Sequence, residues 1–202
     1  MSDPILSESP LARFDLAART AQAPGNAGIF ICERAFLGHI NLRGDPQDPR
    51  FAAAVREVVG IAPPAVPNTV SEAQGHTVYW LGPDEWLILT PGERRAAVES
   101  ELRNALNGLR FAITDVSGGR TVVVVHGDPV RELLAKGCPL DLHARAFDIG
   151  QCAQSFLAKA PILIRRLDRR PSFEIIISRS FADYFCLWLE DAAAEYGLAV
   201  SA

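Results

Sequence analysis

A seven-residue pattern that occurs twice constrains the fold of this chain more than any other feature. Residues 40–46 read Ile-Asn-Leu-Arg-Gly-Asp-Pro, and residues 123–129 read Val-Val-Val-His-Gly-Asp-Pro. In each copy an apolar run leads into Gly-Asp-Pro, residues that typically end a strand and begin a helix. Further on, residues 80–89 and 166–177 repeat a strand–turn–strand pattern in the same order. The sequence therefore predicts an internal duplication of a β-β-α-β-β-α unit.

The second copy contains the clearest strand signal. Four valines, Val122–Val125, are bounded by Gly118-Gly119 on one side and Gly127 on the other. A β-branched run between turn residues is typical of a strand. Asp128 and Pro129 suit the N-cap and first position of a short helix that follows it. In the first copy the corresponding helix is predicted to start at Pro49, after a cap at Asp48.

The two copies are expected to share one core. Each copy ends in an amphipathic helix, over residues 93–106 and 180–196, with apolar side chains on one face. No Gly/Ser-rich or charged linker separates the copies near residue 108. The expected organisation is one duplicated α+β domain over residues 27–202, with halves of about 27–109 and 110–202.

Residues 1–26 are interpreted as an extended N-terminal arm. The apolar residues here are isolated and show no strong period, with Leu11, Phe14 and Leu16 as the main ones. Two interpretations remain open. The arm is either a disordered tail or a strap that becomes ordered on another subunit.

Composition excludes several classes of protein. The 202 residues carry a net charge of -4, which gives no general attraction to nucleic acid or anionic lipid. The four cysteines are scattered, which favours reduced thiols over a disulfide framework or a zinc knuckle. No signal-peptide pattern and no apolar run of transmembrane length is found, so a cytoplasmic location and no membrane partner are expected.

No catalytic, cofactor-binding or metal-binding residue is predicted. The chain has no Gly-x-Gly-x-x-Gly motif after a strand and no phosphate-loop lysine motif. The histidines at positions 39, 76, 126 and 143 lie far apart in sequence. His143 follows a Pro-Leu-Asp-Leu loop segment, and a structural or interface role is favoured there because no nucleophile is adjacent.

An arginine cluster is the main charged feature. Arg165, Arg166, Arg169 and Arg170 surround Leu167-Asp168. Such a cluster is either a solvated hairpin tip or a docking site for an acidic surface of a partner protein. Nucleic acid is disfavoured, because no aromatic residues interleave with the arginines. The candidate partner interface comprises Leu11, Phe14, Leu16, His143, Arg165, Arg166, Arg169 and Arg170.

Several blocks, taken together and in order, resemble one family. They are Asn41–Gly44, Trp80–Leu87, Thr114–Ser117, Lys136–His143, Phe147–Ala153 and Arg179–Ala182. In these blocks the chain is similar to the gamma subunit of bacterial heterotetrameric sarcosine oxidase, over roughly residues 37–197. The resemblance implies the duplicated α+β fold of the folate-binding aminomethyltransferase (T-protein) of glycine cleavage.

The resemblance also implies a function. The complex oxidatively demethylates sarcosine with FAD, covalently held FMN, NAD, tetrahydrofolate and zinc, all attributed to the alpha, beta and delta subunits. Aminomethyltransferases carry a catalytic aspartate after a Gly-Gly turn, whereas the comparable stretch here, residues 159–166, has no carboxylate. We therefore expect a non-catalytic gamma subunit with a structural role in assembly. The alternatives are a gamma-type subunit of a related dehydrogenase, such as N-methylglutamate dehydrogenase, and a stand-alone folate-binding protein.

Overall fold

Two β-sheets that pack against each other form the frame of the computed structural model, which describes residues 7–20 and 27–201. The strands are β1 (Ile29–Glu33), β2 (Gly38–Gly44), β3 (Val70–Ala73), β4 (His76–Gly82), β5 (Glu85–Thr90), β6 (Phe111–Asp115), β7 (Arg120–His126), β8 (Cys152–Leu157), β9 (Ala160–Arg166), β10 (Ser172–Ser178) and β11 (Leu198–Val200). The α-helices are α1 (Leu16–Thr20), α2 (Pro49–Val59), α3 (Arg95–Ala105), α4 (Val130–Ala135) and α5 (Ala182–Ala192). The expected α+β class is confirmed.

The element order shows the predicted duplication, with β3 added in the first half and β8 and β11 added in the second. β2-α2-β3-β4-β5-α3 in the first half corresponds to β7-α4-β8-β9-β10-α5 in the second. β3 and β8 each pair with the next strand in sequence. Their residues are mostly partly exposed, so they lack the apolar run that identifies a buried strand from sequence.

The first strand of each half lies in the sheet of the other half. The first-half sheet has the strand order β3-β4-β5-β2-β6, and the second-half sheet has the order β11-β1-β7-β10-β9-β8. β1 precedes β2 in sequence but pairs with β7, while β6 precedes β7 but pairs with β2. The two halves are therefore interlocked by their backbones as well as by their side chains.

The helix α2 forms where the sequence predicts it, and α4 begins later than expected. The Asp48 side chain accepts a hydrogen bond from the Arg50 backbone N–H at 2.9 Å, and Gly60 ends α2 with φ +79°. Asp128 was expected to cap α4, but that prediction is wrong. The Val130 N–H donates to the Gly127 carbonyl at 3.0 Å, so a turn occupies this position and Asp128 stays exposed.

Each sheet buries its outer face under the helices of its own half. The first-half core includes Phe51 and Val55 of α2 and Leu102 of α3. The second-half core lies beneath α4 and α5. The inner faces of the two sheets meet in a third apolar cluster, made of Tyr79, Leu87, Leu89, Val122, Cys152, Leu163 and Ile176. We call this region the junction.

The N-terminal segment packs on its own chain, which corrects the expectation of an extended arm. Leu11 is only 2% exposed and belongs to the second-half core, against which Phe14 and Leu16 also pack. Arg19 pairs with Glu190 of α5 at 2.6 Å. An apolar side chain buried this deeply stabilises the fold of the chain itself, so residues 7–20 are part of the domain. The rest of the predicted arm, residues 1–6 and 21–26, lies outside the described residues.

In the described part of the chain, none of the helices has the length and apolar character needed to cross a membrane.

Candidate functional site

A buried charged network crosses the junction and is centred on Glu174 of β10. Glu174 is fully buried, and its carboxylate accepts hydrogen bonds from the side chains of Tyr79, Arg34 and Arg165. The Arg165 Nε lies 2.7 Å from the Glu174 Oε1. Arg165 also donates to Glu72 of β3. Because Tyr79 and Glu72 belong to the first-half sheet and Glu174 and Arg165 to the second, this network connects the two sheets.

The surroundings fix the charge state of each member of the network. Burial would raise the pKa of Glu174, but the Arg165 guanidinium opposes it and holds that pKa below its usual value. Burial would lower the pKa of Arg165, whereas Tyr79 and Glu174 raise it above its usual value. Burial and the Glu174 charge raise the pKa of Tyr79 well above its usual value. None of these groups is therefore suited to exchange a proton near neutral pH, as a general acid or base must.

A buried histidine lies near this network. His39 of β2 is 1% exposed, and its Nδ1 lies 3.1 Å from the Leu37 carbonyl oxygen. Its Nε2 has no hydrogen-bond partner within the described residues. Burial lowers the pKa of His39 to about 4, so the ring is neutral at physiological pH. The Ser117 hydroxyl accepts from the His39 backbone N–H at 2.8 Å, so this contact does not pair a nucleophile with the ring.

A cleft of about 810 Å³ opens at one edge of the junction, next to Leu37 and Ser117. We call it the junction cleft. Three arginines from separate segments line it, namely Arg95 at the start of α3, Arg120 at the start of β7, and Arg179 in the turn before α5. Several cationic side chains thus line one concave feature beside the junction.

The structure divides the predicted arginine cluster into two buried and two exposed residues. Arg165 and Arg166 are only 4% and 5% exposed, so their assignment to an exposed docking tip is wrong. Arg165 turns into the junction towards Glu174. Arg166 donates to the Asp168 carbonyl at 2.9 Å and lies 3.3 Å from an Asp148 carboxylate oxygen. Both guanidinium groups thus form their hydrogen bonds and ion pairs within the chain, and they connect β9 to neighbouring segments.

Three predicted interface residues remain exposed. Arg169 and Arg170 lie in the turn between β9 and β10, and His143 lies in the loop between α4 and β8. Leu11 is a core residue, and Phe14 and Leu16 are partly buried against the same core. The candidate surface is therefore smaller than the sequence suggested.

Two observations bear on chemistry. In the described part of the chain, no group of three or more His, Cys, Asp or Glu side chains is placed to hold a metal ion. The strand that resembles the aspartate-bearing strand of aminomethyltransferases is β9, and it buries Ile162, Leu163 and Ile164. Apolar side chains cannot take over proton transfer from a carboxylate.

The Glu174 network was missed in the sequence, although one signal for it was present. Glu174 stands alone among apolar residues in the run Phe-Glu-Ile-Ile-Ile. A carboxylate in a central strand must be buried, and a buried charge requires a partner. That argument predicts a paired glutamate, but it does not identify Tyr79 or Arg165 as its partners.

A family model and individual relatives both match most of this chain. Residues 43–195 match the model of the "Sarcosine oxidase, gamma subunit family". The gamma subunit of sarcosine oxidase from Corynebacterium sp. (strain U-96) is 33% identical over 195 residues, which are 96% of this chain and 93% of that protein. The gamma subunit from Arthrobacter sp is 31% identical over 181 residues, covering 90% and 88% of the two chains.

Solved structures show the same relationship. A chain of the heterotetrameric sarcosine oxidase from Corynebacterium sp. U-96, in complex with pyrrole 2-carboxylate, superposes with a TM-score of 0.84 at 32% identity, covering 98% of this chain and 100% of that one. Aminomethyltransferase T of the glycine cleavage system from Bartonella henselae superposes with a TM-score of 0.62 at 13% identity, over 95% of this chain and 51% of that one. The second match confirms the predicted likeness in fold.

Proposed function

We infer that this chain, which belongs to the sarcosine oxidase gamma subunit family, acts as the gamma subunit of a heterotetrameric sarcosine oxidase. The observation that carries this proposal is the superposition on a chain of the Corynebacterium complex, which covers both chains almost from end to end. The chain's role in the complex is structural: it supports assembly, while sarcosine is oxidised on other subunits.

The proposed partners are the alpha, beta and delta subunits, and the proposed location is the cytoplasm. FAD, FMN, NAD, tetrahydrofolate and zinc are assigned to those partners. Two observations on this chain support that division. Its β9 carries apolar side chains where the related transferases use an acid, and Glu174 and Tyr79 are held in fixed charge states. These features favour a structural role for the chain over a role in acid–base catalysis.

The exposed turn at Arg169 and Arg170 is a proposed contact with the complex. Guanidinium groups form paired hydrogen bonds with carboxylates, which suits an acidic surface on a partner. The loop that carries His143 is a second proposed contact. Leu11, Arg165 and Arg166 are not proposed as contacts, because each is buried within the chain.

The test is co-expression of the chain with the other three subunits, followed by purification through a tag on the alpha subunit. The wild-type chain is expected to co-purify in a sarcosine-oxidising complex. Replacing both Arg169 and Arg170 by Glu should weaken incorporation about tenfold, which corresponds to about 1.4 kcal/mol. Arg56→Glu, at an exposed position on α2, is the matched charge-reversal control and should assemble normally.

Two results would contradict the proposal. Absence of the wild-type chain from the purified complex would rule out the assembly role. Micromolar binding of tetrahydrofolate by the isolated chain, together with aminomethyl transfer, would identify a stand-alone folate enzyme instead.

A further inference from the structure

The junction cleft is built from equivalent pieces of the two halves. The turn before β2 contributes Phe36 and Leu37, and the turn before β7 contributes Ser117 and Gly118. The residues that lead into the last helix of each half contribute Arg95 and Arg179 in the same way. The cleft therefore exists only where the two halves come together.

The three arginines of the cleft differ in how well they are paired. Arg95 lies 3.4 Å from the Asp115 carboxylate, and Arg179 donates to the Glu8 backbone carbonyl at 3.3 Å. The Arg120 side chain forms no direct hydrogen bond or ion pair with a described residue, and the charge of Glu85 offsets its burial only in part. It is partly buried, and burial lowers its pKa. A guanidinium that is partly removed from water without a partner is destabilising until an anion binds to it.

The carboxylates that line the cleft do not pair with its arginines. Glu8 and Glu93 also line the cleft, but neither forms an ion pair with Arg95, Arg120 or Arg179. Within the described residues, neither Arg120 nor Arg179 therefore forms a direct ion pair with a carboxylate. Two guanidinium groups without a direct ion pair in one cleft favour a ligand that carries a carboxylate.

The rim of the cleft carries an exposed aromatic side chain in an unusual backbone conformation. Phe36 is 60% exposed and has φ +61°, the left-handed region that bulky residues rarely adopt. Its carbonyl oxygen packs so closely on Gly92 that a Cβ at Gly92 would overlap it. The close contact with Gly92 thus holds the Phe36 backbone in this conformation, and the ring lies largely in solvent.

Aromatic residues and arginines are the residues that most often dominate binding energy at protein interfaces. We propose that the junction cleft docks an extended acidic segment of a partner subunit, with a carboxylate bound by Arg120 and Arg179 and an apolar side chain packed on Phe36. The inference rests on the proposed function, because it requires the complex. A protein segment fits better than a small molecule, since the cleft is open and its aromatic side chain lies on the rim, whereas small ligands are largely enclosed.

Two variants of the full chain test the proposal, each in the co-expressed complex. Arg120→Gln removes the charge while keeping a long polar side chain. Phe36→Gly removes the ring and adopts a positive φ without strain, so it should not lower the melting temperature of the isolated chain. Each variant is expected to bind the remaining subunits about tenfold more weakly. Phe156→Ala, at a similarly exposed aromatic residue on β8, is the matched control and should keep wild-type affinity.

The dependence of subunit binding on salt concentration provides a second measurement. The loss caused by Arg120→Gln should shrink as ionic strength rises, because salt screens the ion pair it removes. The loss caused by Phe36→Gly should persist, since it removes an apolar contact.

The outcomes separate this inference from the proposed function. Absence of the wild-type chain from the complex would overturn both. Normal assembly of both variants beside wild-type assembly would overturn the docking inference alone. A second result would also overturn the docking inference. It is saturable binding of free glutarate to the isolated wild-type chain that is lost in Arg120→Gln, while Arg120→Gln still assembles normally. That result would show that the cleft is a small-molecule site.

Discussion

Glu174 shows how one residue can link the two halves of this chain. Its carboxylate is fully buried between the sheets and accepts hydrogen bonds from side chains of β4 and β9 and from Arg34. A buried ion pair often adds little net stability, because both charges must leave water. Removing one partner is much more harmful, since the other charge then stays buried and uncompensated. Arg165, at 4% exposure, would keep only its ion pair with the more exposed Glu72.

Glu174→Gln should therefore lower the free energy of unfolding by about 3–5 kcal/mol, measured by chemical denaturation of the isolated chain. Glu190→Gln is the control, because it removes a carboxylate from the more exposed pair with Arg19 and should cost at most about 1 kcal/mol.

The difference in the free energy of unfolding between wild type and Glu174→Gln should also depend on pH. The pKa of Glu174 is lower in the folded chain, so its stabilisation is present above the ordinary value of 4.5 and is lost as the pH falls below it. A pH-independent difference of less than 1 kcal/mol would contradict the role given to this network.

The N-terminal segment was predicted to be an extended arm, but in the structure it packs on the core of the second half. As a stretch of sequence it is polar with isolated apolar residues, a pattern typical of a tail. In the fold, Leu11 enters the second-half core and the pairs Arg13–Asp183 and Arg19–Glu190 hold the segment on α5. One deeply buried side chain is enough to anchor such a segment, even where it lacks a regular period.

Leu11→Ala should destabilise the isolated chain by about 2–5 kcal/mol, because it leaves a cavity in the core. Leu187→Ala is the matched control at a leucine of α5 that is 51% exposed, and it should have an effect within about 0.5 kcal/mol. For the same reason, deletion of residues 1–20 should lower the melting temperature. If the Leu11→Ala chain melts like wild type, the segment does not contribute to the core.

At the scale of the whole molecule, the exchange of β1 and β6 makes the halves dependent on each other. β1 pairs on one side with β7 and on the other with β11, both of the second half. The inner faces of both sheets, including Tyr79 and Val122, are buried only when the sheets meet. The chain is therefore expected to behave as one cooperative domain that includes both halves and the segment at residues 7–20.

Fragments test this expectation directly. Residues 1–109 and 110–202, produced separately, should each lack stable tertiary structure by near-UV circular dichroism, because each exposes its inner sheet face and loses a strand partner. Mixing the two should restore the native spectrum. Independent cooperative melting of either fragment would show that the halves are separate domains.

The sequence by itself determined the repeated architecture, because the signals for it are local. Gly44 and Gly127 end corresponding strands in the two halves, and each is needed where it stands: a Cβ would overlap the Phe51 ring at Gly44 and the Gly28 carbonyl at Gly127. Caps such as Asp48 and β-branched runs such as Val122–Val125 act over a few residues and can be read directly. The family resemblance also rested on short blocks of this kind.

Only the tertiary structure decided which strands pair, which arginines are buried and which residues meet at the junction. Arg165 and Arg170 look alike in a cluster of six positions, yet one is paired with Glu174 in the interior and the other is exposed on a turn. Burial of a charge depends on a partner distant in the chain, and sequence spacing does not encode such contacts. The pairing of β1 with β7 and of β6 with β2 likewise joins strands from different halves of the chain. Such pairing depends on how both sheets assemble, and no single segment specifies it.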